Sequence, residues 1–180
     1  MSQVPDEPLS YACIFGEGTK NHQHRRSLLN YNADDKTLHL HVNNNVIPSN
    51  SQSLLQKYNT LGHEEKRSQF LDNKDKKKEV QDFFRVLFSI VENIRGDDML
   101  IFYVLALLNG ILEDDRSRVS IITNMLNLGK NPCNSIGILQ KFLTEQSGTS
   151  QFNEQKCELA VHTLAIIMSS YEPKADSEHI

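Results

Sequence analysis

An all-α fold is predicted for this 180-residue chain by three observations. Apolar residues recur at three- and four-residue spacing from Val80 to Met168, the period that gives a helix one buried face. Polar links carrying Gly, Asn or Asp interrupt the pattern about every 20 residues. Eight glycines are too few for a sandwich or barrel, whose turns occur every ten residues or so.

The N-terminal 45 residues stand apart. They lack a helical apolar period and are rich in Asn, His and Asp. Leu38, Leu40 and Val42 alternate with His39 and His41, which permits a short strand or an extended arm. The rest of residues 1–45 reads as a poorly ordered arm, ahead of a helical domain over 46–172 and a polar tail over 173–180.

The helical signals begin at Ser49. With Gln52 three residues on, it fits a capping box opening a short helix through Leu54, Leu55 and Tyr58. Gly62 interrupts, a second short helix runs from His63 to Leu71, and a charged connector spans Asp72 to Lys78. Val80, Phe83, Phe84, Leu87, Val91 and Ile94 then build one strong apolar face, which Gly96 is expected to end by taking a left-handed cap. Asp97 or Asp98 can cap the next helix, apolar on nearly every side from Leu100 to Leu108 and again at Ile111 and Leu112. A helix with no polar face must be wrapped by neighbours, so this one belongs at the centre of the core. Beyond Glu113-Asp114-Asp115, a helix carries Val119, Ile122, Met125 and Leu126. Asn131-Pro132 reads as cap and first-turn proline of one with Ile136, Leu139, Phe142 and Leu143. Past Gly148, Cys157, Val161, Leu164, Ile167 and Met168 mark the apolar face of the last, and Pro173 closes the pattern.

Two helices per roughly 40 residues is the period of armadillo or HEAT stacking, so a short helical repeat solenoid is the expected architecture. An isolated bundle would show the same apolar spacing.

Composition excludes several functions. Nineteen basic against 23 acidic residues leave a net charge of −4, opposite to the basic excess of a general nucleic-acid binder. The longest apolar run, Met99–Leu108, is half the ~20 residues a membrane-spanning helix needs. Cys13, Cys133 and Cys157 are scattered and odd in number, giving neither a disulfide framework nor a zinc knot. The opening residues carry acid and proline where a signal peptide needs basic and then apolar ones, and none of the 16 asparagines heads an Asn-x-Ser/Thr acceptor. A reducing, cytosolic setting is expected.

Catalytic chemistry is scarce. His22/His24 and His39/His41 could hold zinc or iron from one face of a strand, but His63, His162 and His179 offer no further ligand at matching spacing. Exposed histidines on an arm are the plainer reading. Gly16-Glu17-Gly18-Thr19-Lys20 lacks the spacing, preceding strand and following helix of a phosphate loop. In Asp75-Lys76-Lys77-Lys78-Glu79 the acids cancel the field a nucleic acid or anionic lipid would need, leaving a solvated helix face. Glu113-Asp114-Asp115-Arg116 reads as a turn and N-cap rather than paired catalytic carboxylates. Cys157, on an apolar face, reads as core. No nucleophile, base and oxyanion site assemble, so no catalytic, cofactor-binding or metal residue is expected and no enzyme activity is assigned.

The helices resemble a known family in register. Tyr103-Val104-Leu105-Ala106-Leu107-Leu108, Ile111-Leu112-Glu113-Asp114 and Arg118-Val119-Ser120-Ile121 resemble the second helix region in the N-terminal domain of the H subunit of the vacuolar-type proton ATPase (V-ATPase). Val46-Ile47 with Leu54-Leu55-Gln56-Lys57-Tyr58, then Glu64-Glu65-Lys66, then Phe83-Phe84 through Ile90, continue the likeness in the same order, over roughly residues 45–170. Leu38 and His41 stand where the family commonly has a Trp-x-x-Tyr element, and Asn109-Gly110 where two acids are usual. Residues 1–35 match nothing in it.

The resemblance implies an armadillo/HEAT-like, non-catalytic regulatory subunit of the peripheral V1 sector, without a cofactor of its own. It implies binding to the peripheral-stalk subunits E and G and other V1 subunits, in support of ATP-driven proton transport. It further implies a cytoplasmic location on the cytosolic face of acidic organelles, with membrane association only through the complex and no nucleic-acid partner. The family's C-terminal domain, which restrains futile hydrolysis, lies outside the matching region. The alternative is a stand-alone cytosolic adaptor binding protein segments; Asn93, Asn109, Asn124 and Asn127 do not recur at repeat spacing, and Trp is missing, which counts against an adaptor's Asn and Trp ladders. A small metal-dependent hydrolase built on the His-x-His pairs is a third reading, open to metal analysis of the purified protein. The protein-binding residues are unknown at this level.

Overall fold

The computed structural model describes residue 42 and residues 46–128, 130, 132–146 and 151–170. Seven α-helices and no strand occur among these residues. They are α1 (Ser51–Thr60), α2 (His63–Glu65), α3 (Lys77–Asn93), α4 (Asp98–Asp114), α5 (Val119–Leu126), α6 (Ser135–Glu145) and α7 (Gln151–Ser170). A π-helical stretch over Lys66–Leu71 continues α2, and 3₁₀ turns at Lys74–Lys76 and Arg116–Arg118 lead into α3 and α5.

The apolar spacing of α3 buries Val80, Phe83, Phe84, Leu87, Phe88, Ile90 and Val91 together. Phe83 stacks on Tyr58 at 4.7 Å between ring centroids and takes Phe70 edge-on at 5.3 Å. The α1–α2 region is thereby held to α3. Phe83 is completely enclosed, and truncating such a ring to Ala costs about 3–5 kcal/mol.

The long helices form a two-layer stack. Within each layer pair, α3 packs on α4 and α6 on α7; between pairs, α3 meets α6 and α4 meets α7. Each pair is introduced by a short helical segment, α2 with its π-helical continuation or α5, giving two successive short–long–long units of an armadillo/HEAT-like solenoid. Equivalent helices start at Lys77 and Ser135 (α3 and α6) and at Asp98 and Gln151 (α4 and α7), a longer repeat than two helices alone would give. The short third helix in each unit accounts for the excess.

The expected central helix is α4, buried at every position from Leu100 to Glu113. Asp97 caps it by accepting from the Leu100 N–H at 3.1 Å.

Several local expectations shift. Val42, the only described member of the Leu38/Leu40/Val42 alternation, is helical and packs against the core; among the described residues no strand is present to share a ladder with an extended segment there. Ser49 forms no capping box. Helix α1 opens at Ser51 after Asn50, because the Pro48 carbonyl accepts both the Ser51 N–H and its hydroxyl (2.6 Å), closing a turn ahead of the helix. Gly96 is left-handed as expected (φ 81°), yet α3 stops earlier, at Asn93, where Arg95 donates to the Val91 and Ile94 carbonyls. Asn131 lies outside the described residues, and the residue that caps α6 is Asn134. Its Oδ1 accepts from Gly137 N–H at 3.0 Å, while Cys133 N–H to the Met125 carbonyl (2.9 Å) fixes the preceding link. That cap uses the absence of a side chain at Gly137, since a Cβ there would collide with the Asn134 amide.

Helix α7 also turns differently from its expected face. Leu159, Ala160, Thr163, Ile166 and Ile167 are buried, whereas Val161 and Met168 are about half exposed (53% and 51%). The helix is apolar on two sides, and polar contacts to α4 select which side goes inward.

Candidate functional site

Two polar clusters hold the stack. In the first, Arg118 is buried and all three guanidinium nitrogens donate hydrogen bonds. Its Nε and one terminal nitrogen donate to both oxygens of Asp72 (2.9 and 2.8 Å), the other to Asp114 (2.7 Å) and to the Ile111 carbonyl (3.0 Å). Arg67, from the π-helical stretch, donates to Asp114 as well. Burial by itself would push the Asp114 carboxyl up, but hydrogen bonds from Arg67 and Arg118 outweigh it and hold the group below its ordinary value. Burial likewise opposes the charge on Arg118, and the bonds to Asp72 and Asp114 overcome it, raising its pKa. The cluster ties the end of α4 to the connector before α3 and to the entry of the second unit.

The second lies between α4 and α7. Asn109, fully buried, donates to His162 Nδ1 at 3.1 Å and to Thr163 Oγ1 at 3.4 Å. His162 Nε2 stands 3.2 Å from the Glu113 carboxylate, and Arg116 is 3.7 Å away. Neither contact is a hydrogen bond, so Glu113 Oε1 is left without one, as is Asn109 Oδ1. At the other end of the same interface, Lys156, buried on α7, donates to Asp98 at 2.6 Å. These contacts orient α7 on α4.

The residues weighed from the sequence do not converge. His22, His24, His39, His41, His179, Cys13 and the Gly16–Lys20 stretch lie outside the described residues. His63 is exposed at the start of α2, on a different element from His162. Among the described residues no three His, Cys, Asp or Glu gather to hold a metal ion. The acidic run divides its labour: Asp115 caps the following turn through Ser117 N–H (2.9 Å), as expected of a turn, while Asp114 joins the Arg118 cluster and Glu113 the His162 one. Lys74, Lys77 and Lys78 are solvated, and Lys57 pairs with Glu79. Cys133 is buried, and desolvation pushes its thiol up to about 11, the opposite of what a nucleophile needs. Cys157 is only half-buried, on the flank of the outward face of α7 rather than in the core.

Sequence reasoning missed Arg118, Asn109 and Lys156. The i, i+4 spacing of Asp114 and Arg118 was the one local side-chain signal; the Asp72, His162, Thr163 and Asp98 side chains that these residues bond are 46 to 58 residues away.

What the stack offers instead is surface. Helix α4, the inner helix of the first unit, has no open face on which a peptide could lie. Helix α7 does: Glu154, Glu158, Val161, Ala165 and Met168 are exposed and fall within an arc of about 80° at 3.6 residues per turn. No helix among the described residues is long and apolar enough to cross a membrane.

A family model for the V-ATPase H subunit matches residues 38–178, which include every helix described above. No individual curated protein and no solved structure matches the chain. The matched span, the all-helical stack and the ordered likeness of the α1, α3 and α4 segments agree, and the chain belongs to the V-ATPase H-subunit family, through its N-terminal domain.

Proposed function

We propose that this protein is a non-catalytic subunit of the peripheral V1 sector of a proton-pumping ATPase, where it binds the stalk subunits E and G and supports ATP-driven proton transport. The observation that carries the reading is the family match over residues 38–178. The architecture supports it: a two-layer helical stack braced by ion pairs with buried cations is a stiff body suited to gripping neighbouring helices without a pocket. Asp97 and Asp115 serve as caps, Asp114 as a brace and Cys133 as core, which favours a binding role over a catalytic one. Such a subunit works on the cytosolic face of an acidic organelle and reaches the membrane only through the complex. The stand-alone adaptor reading is weaker, because the helix that would line its groove is enclosed on all sides.

Affinity capture of the tagged chain from native cell extract, read by mass spectrometry, tests the assignment. The E and G subunits should be recovered together with the catalytic A and B subunits. Capture of the chain alone, or with unrelated proteins in near-equal ratio, refutes it.

A further inference from the structure

We propose that Asn109–Gly110 is a self-modification site gated by the contact between α4 and α7. It is inert while that contact is closed and converts to isoaspartate once the contact has opened and α4 has unwound. The inference stands on this junction and does not depend on which complex the chain serves.

Of the 16 asparagines, Asn109 is the one followed by glycine. That pairing favours a reaction the chain carries out on itself. The Gly110 backbone nitrogen attacks the side-chain carbonyl carbon, Cγ, of Asn109. A new N–Cγ bond replaces the Cγ–Nδ2 bond and closes a five-membered succinimide. The Gly110 N–H proton is given up to solvent, and Nδ2 takes one from solvent and leaves as ammonia. Water then opens the ring, chiefly at the backbone carbonyl, so that the chain runs on through the former side chain as isoaspartate. Glycine is the best successor because no β-carbon crowds its nitrogen.

The closed fold blocks each requirement. Gly110 lies inside α4, where its N–H belongs to the i→i−4 ladder and the helical backbone holds its nitrogen away from Cγ. The leaving group is tied to α7, with Nδ2 donating to His162 Nδ1 at 3.1 Å and to Thr163 Oγ1 at 3.4 Å. Oδ1 accepts no hydrogen bond among the described residues, so nothing polarises Cγ or stabilises the oxyanion that attack would form. Asn109 is fully buried, which also keeps out the water that opens the ring.

One contact does this shielding, so one opening removes it. Lifting α7 frees Nδ2, hydrates Oδ1 and takes away a wall of α4. A short helix stripped of its packing is marginal in water, and Gly110 in its interior weakens it further. By contrast Asn50 and Asn134, each followed by serine, are exposed at the starts of α1 and α6 and have no such gate.

The change is one-way. Isoaspartate adds a carbon to the backbone and breaks the ladder of the helix at the centre of the core. Aspartate, the minor product, loses the Nδ2 donor and stands one turn from Glu113, a like-charge pair at i, i+4. The site therefore turns a lasting opening of the α4–α7 junction into a covalent mark and prevents the junction from closing again.

The test uses the full chain, incubated at mildly alkaline pH in graded guanidinium chloride. Peptide mass spectrometry follows each asparagine, with isoaspartate told from aspartate by electron-transfer fragmentation. In unfolding denaturant Asn109 should convert first, at least threefold ahead of Asn50 and Asn134. Without denaturant the order should reverse, and Asn109 should convert at least tenfold more slowly than in the unfolded chain. Gly110→Ala, compared in unfolding denaturant where its folding does not matter, should slow Asn109 at least tenfold. On dilution, chains carrying isoaspartate at position 109 should fail to regain the helical circular dichroism that unmodified chains regain. Native conversion as fast as unfolded conversion, no lead for Asn109 in denaturant, an undiminished rate in Gly110→Ala, or refolding of the isoaspartate chains overturns the inference.

Discussion

Removing the Arg118 side chain should be among the most damaging single polar changes in this protein. Arg118→Ala deletes four hydrogen bonds at once, leaving Asp72, Asp114 and the Ile111 carbonyl to find other partners. Breaking a fully buried pair costs about 3–5 kcal/mol. Here the guanidinium is 3% exposed, but Asp72 and Asp114 are 43% and 24% exposed and regain water. The expected loss is therefore smaller, about 2–3 kcal/mol, against a total of about 5–15 kcal/mol for a domain of this kind. Urea unfolding followed by far-ultraviolet circular dichroism measures it directly. Asp72→Asn should cost less, about 1 kcal/mol, because its oxygens are solvated and one can still accept. Arg118→Lys should fall between, keeping the charge and losing the two-pronged grip on Asp72. An Arg118→Ala protein within 0.5 kcal/mol of the parent (about the scatter of a surface substitution) would refute the view that this cluster braces the two units.

Three further outcomes are expected. Asp97→Ala should destabilise by about 0.5–2 kcal/mol through loss of the α4 cap, measured in the same urea assay. The Asp114 carboxyl is held below its unfolded value of 3.8, so its contribution is present above that value and lost as pH falls through the lower folded one; Asp114→Asn should flatten the acid limb of a stability–pH curve below about pH 4 and leave less stability at neutral pH. With Cys13 and Cys157 replaced by Ser, Cys133, buried and pushed up to about 11, should react with a maleimide at neutral pH only after unfolding; prompt native labelling would contradict its burial.

The helices were legible because each carries its apolar period locally: α3 needs only Val80, Phe83, Phe84 and Leu87 to declare a buried face. The enclosure of α4 followed from a run with no polar side, and the Asp97 cap from its place before that run. Caps went astray where a nearby competitor was better placed, as the Pro48 carbonyl was for Ser51 and Asn134 was for the start of α6. The orientation of α7 was not legible. Both Leu159/Ile166/Ile167 and Val161/Leu164/Met168 make helical stripes, and the choice between them is made by Asp98, Asn109 and Thr163 in contacts between segments far apart along the chain. For the same reason the outward face of α7 became visible only in three dimensions. Arg118 belongs to this class too, since nothing near it in sequence announces the bond to Asp72.

The enclosure of α4 bears on how the chain is made. Its last residue is Asp114, whereas α7, which supplies one of the walls around it, is complete only at Ser170. At a synthesis rate of about 5–20 residues per second, the ribosome takes roughly 3–11 s to deliver that wall after α4 is finished. During that interval a helix without a polar side is covered only by what precedes it, and the nascent chain at this stage is the form most in need of a chaperone.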